Sequence, residues 1–370
     1  MILLYKSPSI LTEGRKRSTP NFRVSVIIPT YKRGHLIKHI LDSLKNQTYK
    51  NFEVIIIVKP SGDQTVAVIE QYKNCLSVSV VWQQKGNCLD AINIGIEHAN
   101  GEIIVCGDDD SIPYPDWIEN HVKAYRDPKI GGVAGDVLPV SMGESRFVST
   151  PSQRSEIIPA NFSAWNRPSL PWNQPIKGLE NFFVYISRAG LVEYNCLVSF
   201  YARHRRVASL LGMGTNMSFL AEAVRDFRFP DSWVLGLSNE QYLAWHLWRE
   251  GYRLVFDPAI KVSHINHGES MSRSIRQRKR DLLRWIDYNL LFYRLYGDER
   301  GISIMYRVVW LIFDSIVNIK KFCMDKESSQ LARLKSKVYS ELIGLKWLLY
   351  KKLDLEYSPT SDLNKLIGIF

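Results

Sequence analysis

Short apolar runs rich in β-branched residues alternate with amphipathic stretches through the first third of the chain, and that alternation leaves few folds open. Val24-Ser25-Val26-Ile27-Ile28, Phe52 to Val58, Val78 to Trp82 and Ile103 to Cys106 read as strands. Between them, Leu36, Ile37, Ile40, Leu41 and Leu44 recur at i, i+3, i+4 spacing, which is one face of a helix. Thr65 to Lys73 reads as a second helix, and Leu89, Ile92, Ile96 and Ala99 mark a third. Strand and helix following one another over short connections predict a mostly parallel sheet with helices on both faces. Ile103 to Cys106 does not alternate, so that strand is expected to be buried on both sides.

That last strand climbs into Asp108-Asp109-Asp110, followed by Ser111-Ile112-Pro113. Adjacent carboxylates at the end of a core strand repel one another and cannot be buried unpaired. A divalent cation is the natural counter-charge, and oxygen ligands favour magnesium or manganese over zinc. The carboxyl ends of strands are also where open α/β sheets place their ligands. The competing reading is a solvated acidic turn ahead of the helix opened by Pro115-Asp116-Trp117.

Further along, Val133 to Val140 reads as a strand, and residues 141–181 lose periodicity, with Ser, Pro, Asn and Trp dominating. A loop of that length inside a compact protein is usually functional. Trp165 and Trp172 lie in it, placed either to stack on a sugar ring or to pack on the body of the protein. Asn239-Glu240-Gln241 opens a helix with Leu243, Leu247 and Trp248 on its core face and Gly251 as its C-cap. Tyr252 to Phe256 and Ile260 to Ser263 read as two short strands around Asp257-Pro258, with His264 and His267 after them. From about residue 272, Arg273, Arg276, Arg278, Lys279, Arg280 and Arg284 precede Trp285, Tyr288, Leu291, Phe292 and Leu295, and two further helices follow. Basic residues beside such faces suit an interfacial helix on an anionic membrane, or a helical hairpin packed on the rest of the chain.

The net charge of +11 over 370 residues points to an anionic partner. No nucleic-acid motif accompanies it, and nucleic acid would not explain the aspartates, so none is expected. Five scattered cysteines with no CxxC argue for a reducing compartment and against a disulfide framework or a zinc site. Met1 to Leu4 is too short for a signal peptide's core and no window reaches membrane-spanning length, so a cytoplasmic location is expected.

Val24-Ser25-Val26-Ile27-Ile28-Pro29-Thr30-Tyr31, the aspartate run with Pro113 and Pro115-Asp116-Trp117, and Asn216-Met217-Ser218-Phe219 together resemble family 2 glycosyltransferases. So does the block from Asn239-Glu240 through Gly251-Tyr252 to Pro258 and His264. The resemblance covers roughly residues 22–267 and implies the GT-A fold, a Rossmann-like mixed, mostly parallel sheet, here with a C-terminal helical appendage. Residues 1–21, basic and rich in Ser, Pro and Thr, read as a mobile leader; the resemblance implies a catalytic domain over 22–270 with a nucleotide-sugar half (22–140) and an acceptor half (141–270). Residues 271–370 would be a basic amphipathic helical region.

The same resemblance implies inverting, hexosyl-type transfer from a nucleoside-diphosphate sugar to a glycan or lipid-linked saccharide, assisted by Mg2+ or Mn2+. Asp108 and Asp110 match the family's DxD motif, with His264 as a further candidate ligand of the metal. Pro29, Thr30, Tyr31 and Arg33 match the nucleotide-facing loop, Asp109 lies near the donor's ribose or sugar, and Asp63 and Lys85 are candidates for the base and phosphates. Glu240 falls at the general base, beside Asn239, while Asn216, Met217 and Ser218, with Trp165 and Trp172, are expected on the acceptor side. A lipid-linked acceptor places the protein peripherally at the cytoplasmic face of an anionic membrane, held by the C-terminal helices.

Three departures from the family pattern bear on this. Val58-Lys59-Pro60-Ser61-Gly62-Asp63 stands where the family commonly has two aspartates and a glycine, which leaves the nucleotide base open. Ala91-Ile92-Asn93 lacks the usual arginine, with Lys59 or Lys85 as substitutes, and Tyr242 replaces an acidic residue that often follows the base. Two other readings use the same residues. A nucleotidyltransferase would need more glycine than Pro29-Thr30-Tyr31-Lys32-Arg33-Gly34 carries, and an inactive membrane-tethered scaffold would need no base.

Overall fold

The computed structural model describes residues 21–141, 170–230, 238–267, 277–296, 301–325, 328–353 and 355. Residues 1–20 of the expected leader and Trp165 lie outside them. The first half follows the sequence pattern: β1 (Val24–Thr30), α1 (Ile37–Lys45), β2 (Phe52–Val58), α2 (Thr65–Glu70), β3 (Val78–Trp82), α3 (Cys88–His98) and β4 (Ile103–Cys106). Then come β5 (Ser111–Pro113), α4 (Trp117–Ala124), β6 (Ile130–Ser141), β7 (Val184–Ile186), β8 (Val192–Tyr194), α5 (Cys196–Ala202), β9 (Val207–Ala208) and β10 (Met217–Leu220). The remaining α-helices and strand are α6 (Asn239–Arg249), β11 (Arg253–Asn266), α7 (Gln277–Leu295), α8 (Ile304–Asp325) and α9 (Ser328–Lys352), with short 3-10 turns at Gly214–Asn216 and Glu222–Val224.

Nine of these strands form a mixed sheet in the order β3-β2-β1-β4-β10-β6-β11-β5, with β9 against β11, and β7 and β8 pair separately as a hairpin. β3, β2, β1 and β4 are parallel, and β6 with β11 runs the same way; β10, β5 and β9 are the reversed strands. The period-2 geometry of a strand sorts the side chains to two faces. Val24, Val26, Ile28, Val54, Ile56 and Val105 pack with α1, α2 and α4, while Ile27, Ile55, Ile57 and Ile104 pack with α3 and α6. Burial on both faces is why these runs are continuous rather than alternating. Helix α3 starts where it does because Asn87 Oδ1 accepts from the Leu89 amide at 2.7 Å and Asp90 Oδ2 accepts from the Asn87 amide at 2.6 Å.

Two details differ from the sequence expectation. The two short strands expected around Asp257-Pro258 are one strand, β11, with a register shift between Asp257 and Lys261. Proline has no N–H to give to the ladder, so pairing skips there and then resumes. Strand β5, hidden in the acidic run, pairs antiparallel with β11 and sets Ser111 opposite His264.

The C-terminal helices pack on the sheet domain. Leu291, Phe292, Tyr293 and Leu295 of α7 belong to the same apolar core as α3, α6 and one sheet face. Gly190, after β7, lets Phe292 approach so closely that a Cβ would lie 2.3 Å from the ring, and Gly344 of α9 does the same for Tyr293 at 2.2 Å. Arg307 of α8 is fully buried, with Nη2 2.6 Å and Nε 3.0 Å from Glu341 Oε1 of α9, and Nη1 3.3 Å from the Ala189 carbonyl. It also donates to Asn289 of α7, so one guanidinium links all three helices to the β7–β8 hairpin.

Candidate active site

The carboxyl ends of β1 and β4 open into one cleft of about 1420 Å³, bounded also by the starts of α3 and α6, the β7–β8 hairpin, α7 and α8. At one end lies the loop after β1. Tyr31 projects, 44% exposed, with the Lys32 ammonium 5.3 Å and the Lys59 ammonium 5.7 Å from its ring centre. Lys59 donates to the Gly86 carbonyl at 2.7 Å. Lys32 and Ser238 are non-glycine residues at φ 57° and 61°, and both line the cleft, so left-handed backbone is concentrated around it.

Pro29, Thr30, Tyr31 and Arg33 all line the cleft, as does Asp109, whose Oδ1 lies 3.5 Å from Arg33 Nε. Asp63 and Lys85 do not line it. Asp63 braces the loop from behind: its Oδ2 accepts from the Gly34 amide at 3.1 Å and from Thr65 Oγ1 at 2.8 Å. Burial pushes its carboxyl up, but the bonds from Ser61, Thr65 and Gly34 outweigh that and hold it down at about 2. Lys85 is exposed, and Lys59 supplies the lysine of the lining instead. Ile92 also lines the cleft, while Asn93 turns away and brackets Phe229 with bonds of 2.8 Å to its carbonyl and 2.8 Å from its amide.

The pairing of β5 with β11 carries His264 back to the aspartates. One ligand atom each from Asp108, Asp110 and His264 lie within 4.8 Å of one another. His264 Nε2 is 3.3 Å from Asp110 Oδ1, and His267 Nε2 is 2.8 Å from Asp110 Oδ2. The Ile265 amide, at 2.9 Å from the Asp110 carbonyl, fixes the two segments together. Burial and the neighbouring Asp110 push Asp109 up to about 8 against the pull of Thr30 and Arg33. The same two causes raise Asp108 to about 6, while the two imidazoles overcome burial and hold Asp110 low. Asp110 Oδ1 is buried without a hydrogen bond, with His264 Nε2 3.3 Å away, so its lone pairs fit a metal-ligand role. Two carboxylates and one imidazole are a donor set suited to Mn2+ or Mg2+.

Glu240, the second residue of α6, enters from another side of the cleft. Its Oε1 accepts from the Gly214 amide at 2.9 Å, and a Cβ at Gly214 would come within 3.1 Å of that oxygen. Burial pushes its carboxyl up to about 7; its own amide and that of Gly214 oppose the rise and Asp108 adds to it. Asn239 lines the cleft beside it.

Asn216, Met217 and Ser218 were expected on the acceptor side, and the structure places them beneath the cleft floor, of which Thr215 is the lining residue. Asn216 Oδ1 accepts from Trp117 Nε1 at 2.8 Å, and its Nδ2 donates to the Asp136 carbonyl at 2.8 Å and the Ile260 carbonyl at 3.2 Å. His121 Nε2 lies 3.2 Å from Asn216 Oδ1 and its Nδ1 lies 2.8 Å from Ser218 Oγ, which Tyr125 reaches at 2.9 Å. Burial pulls His121 down to about 4, so the neutral ring donates to the asparagine and accepts from the serine. Met217 is buried, pairing with Cys106 and Ala134. The motif is a buried hydrogen-bonded network that holds Gly214 and Thr215 in place. Trp172 is likewise outside the cleft, its ring 5.0 Å from Phe313 of α8.

Sequence reasoning missed the opposite wall. Gly190 to Tyr194 of the hairpin, Trp285, Tyr288 and Leu291 of α7, and Trp310 and Asp314 of α8 complete the cleft. The available signal was Asp314, one turn after Trp310 and directly after the apolar run Val308 to Phe313.

The sequence profile of Glycosyl transferase family 2 matches residues 25–200, which contain the β1 loop and the aspartates. The matched residues form a domain of that family. This glycosyltransferase is 23% identical over 316 residues, 79% of its length and 86% of the relative's, to a dolichyl N-acetyl-α-D-glucosaminyl phosphate 3-β-D-2,3-diacetamido-2,3-dideoxy-β-D-glucuronosyltransferase of Methanococcus voltae. It is 32% identical over 108 residues to an uncharacterized glycosyltransferase of Rickettsia typhi, a match spanning 29% of the chain and only 33% of that protein. In fold it is similar to the mannosyltransferase of Pyrobaculum calidifontis solved with GDP-Man and Mn2+, with a TM-score of 0.52 at 17% identity over 90% of this chain and 89% of that one.

Proposed function

We propose that this glycosyltransferase moves a sugar, with inversion, from a nucleoside-diphosphate sugar to a hydroxyl of a glycan or lipid-linked saccharide, with Glu240 as general base. The observation that carries the reading is that the Asp108, Asp110 and His264 cluster and Glu240 line one cleft with the β1 loop. In the proposed reaction Glu240 takes the proton of the acceptor hydroxyl, whose oxygen bonds to the anomeric carbon as the bond to the diphosphate oxygen breaks. A carboxyl raised to about 7 is half ionised near neutrality, which suits a group that must both accept and release a proton. Asp108, Asp110 and His264 would hold a divalent cation, which offsets the charge growing on the leaving diphosphate. Tyr31 and Lys59 support the nucleotide end, the ring as a stacking surface and the ammonium as a phosphate counter-charge.

The acceptor class rests on the Methanococcus relative, whose name describes transfer to a dolichyl-linked sugar phosphate. It also rests on an exposed apolar row on α8 (Met305, Val308, Val309, Ile312, Ile316 and Ile319), continued on α9 by Val338, Leu342, Leu345 and Leu349. Among the described residues no helix is long and apolar enough to cross a membrane. We place the row on an anionic bilayer surface; the protein should float with phosphatidylglycerol vesicles and lose that on Ile312→Asp with Ile316→Asp. Unchanged flotation of the double variant would remove the membrane from the proposal.

The donor site is tested by thermal shift with UDP, GDP, CDP and dTDP, each with and without Mn2+, on wild type and Asp110→Asn. A metal-dependent rise for one diphosphate, lost in the variant, is expected and names the base. No response to any of them would overturn the donor-site reading.

A further inference from the structure

The wall opposite the β1 loop carries an aromatic surface that the proposed donor chemistry leaves unused. Trp285 of α7 and Trp310 of α8 have ring centres 6.0 Å apart, tilted by 40°, and Tyr288 meets Trp285 edge-on at 5.7 Å. All three line the cleft and are only partly buried. Both indoles are partly open toward the cleft, with the Arg307 guanidinium 4.7 Å from the Trp310 ring centre, and an indole pair so placed offers a binding surface.

Its surroundings are polar in a particular way. The Lys337 ammonium sits 4.2 Å from the centre of the Trp285 ring and is ion-paired with Asp314, itself in the cleft lining. Glu193 and Tyr194 of the hairpin form the adjoining edge. Tyr194 and the proposed base line the same cleft as this wall. The Tyr194 phenol is pushed up to about 12 by burial and then by the charge of Glu240, ahead of Tyr288 and Glu193. Apolar faces ringed by carboxylates and hydroxyls match a pyranose, whose C–H face stacks on an aromatic while its hydroxyls seek hydrogen-bond partners at the rim. A plain aliphatic alcohol would use the indoles and waste the rim; a phosphate would meet Asp314 and Glu193.

We infer that Trp285 and Trp310, with Tyr288, form the subsite for the acceptor's terminal pyranose ring, presenting one of its hydroxyls toward Glu240. This deepens the transfer reading and rests on it for Glu240's role. It makes the C-terminal helices part of the substrate site, held in position by the Arg307–Glu341 pair.

Saturation-transfer NMR on the full chain with a panel of methyl pyranosides (glucoside, galactoside, mannoside, N-acetylglucosaminide) tests it. At least one should receive saturation mainly on the protons of a single ring face. Trp310→Ala should weaken that ligand about tenfold, equivalent to about 1.4 kcal/mol, and Trp310→Phe should retain most of the binding. Retention by Phe separates the loss of stacking from a helix bundle that no longer folds, and circular dichroism on the Ala variant checks the same point. Equal binding by wild type and Trp310→Ala, or no pyranoside binding to wild type, would overturn the inference. Nucleoside-diphosphate binding measured in parallel keeps the two proposals apart: diphosphate binding with no pyranoside sinks only the acceptor subsite, and pyranoside binding with no diphosphate sinks only the donor reading.

Discussion

Replacing Glu240 by glutamine should stabilise the protein at alkaline pH while abolishing transfer. In the folded chain the carboxyl is raised from 4.5 to about 7, chiefly by burial. A folded-state value above the unfolded one means that the fold favours the protonated form. Stability from this group is therefore fully present below about pH 4.5 and is lost as pH rises through about 7. A shift of that size corresponds to at most about 3.5 kcal/mol at about 1.4 kcal/mol per pH unit. Glu240 is partly open to the cleft, and screening there reduces the figure to about 1–2 kcal/mol. Glutamine keeps an oxygen for the Gly214 amide but never ionises, so it escapes the loss. Urea unfolding of both proteins at pH 4.0 and 8.5, on either side of the window, is the assay; their difference cancels every other titrating group. The variant should match wild type at the lower pH and exceed it by about 1–2 kcal/mol at the higher, with transfer down by about 10²- to 10⁴-fold. Equal stability at both pH values, or a variant weaker at pH 8.5, would refute the burial argument for Glu240.

Gly214→Ala puts a Cβ 3.1 Å from Glu240 Oε1 and should displace the carboxylate without touching the donor loop. A fall in kcat of about tenfold or more, with diphosphate binding unchanged, is expected; unchanged kcat would show that Glu240 is not held for catalysis. Arg307→Leu leaves Glu341 buried without its partner, which should cost about 3–5 kcal/mol in urea unfolding. A cost below about 1 kcal/mol would mean that the pair does not hold the helices together.

The parallel half of the sheet was legible because β1, β2 and β4 are buried on both faces, the more exposed edge strand β3 is rich in valine, and each intervening helix is amphipathic. Local pattern and fold agree there. The aspartate run was legible because its charge has no place in a core. Strand β5 was not, since its three residues gain strand geometry only by pairing with β11, far away in sequence. Asn216 and Ser218 look like site residues by type, but their partners Trp117, His121 and Tyr125 lie on or just after a helix that no local pattern connects to them. Trp285 and Trp310 have helical spacing either way, so facing a core and facing a cleft leave the same trace in the sequence. The buried Arg307 and Glu341 read equally well as an exposed pair until the helices are seen to close over them.

The central claim is metal-assisted transfer with inversion, and proton NMR of the anomeric signals reports on it directly. The enzyme, with Mg2+ and a panel of α-linked UDP- and GDP-sugars, should release one sugar whose first-formed anomer is β, before mutarotation mixes the two. Release should stop when the metal is chelated and in Glu240→Gln. An α anomer appearing first, release that persists without metal, or no release from any donor would contradict the account.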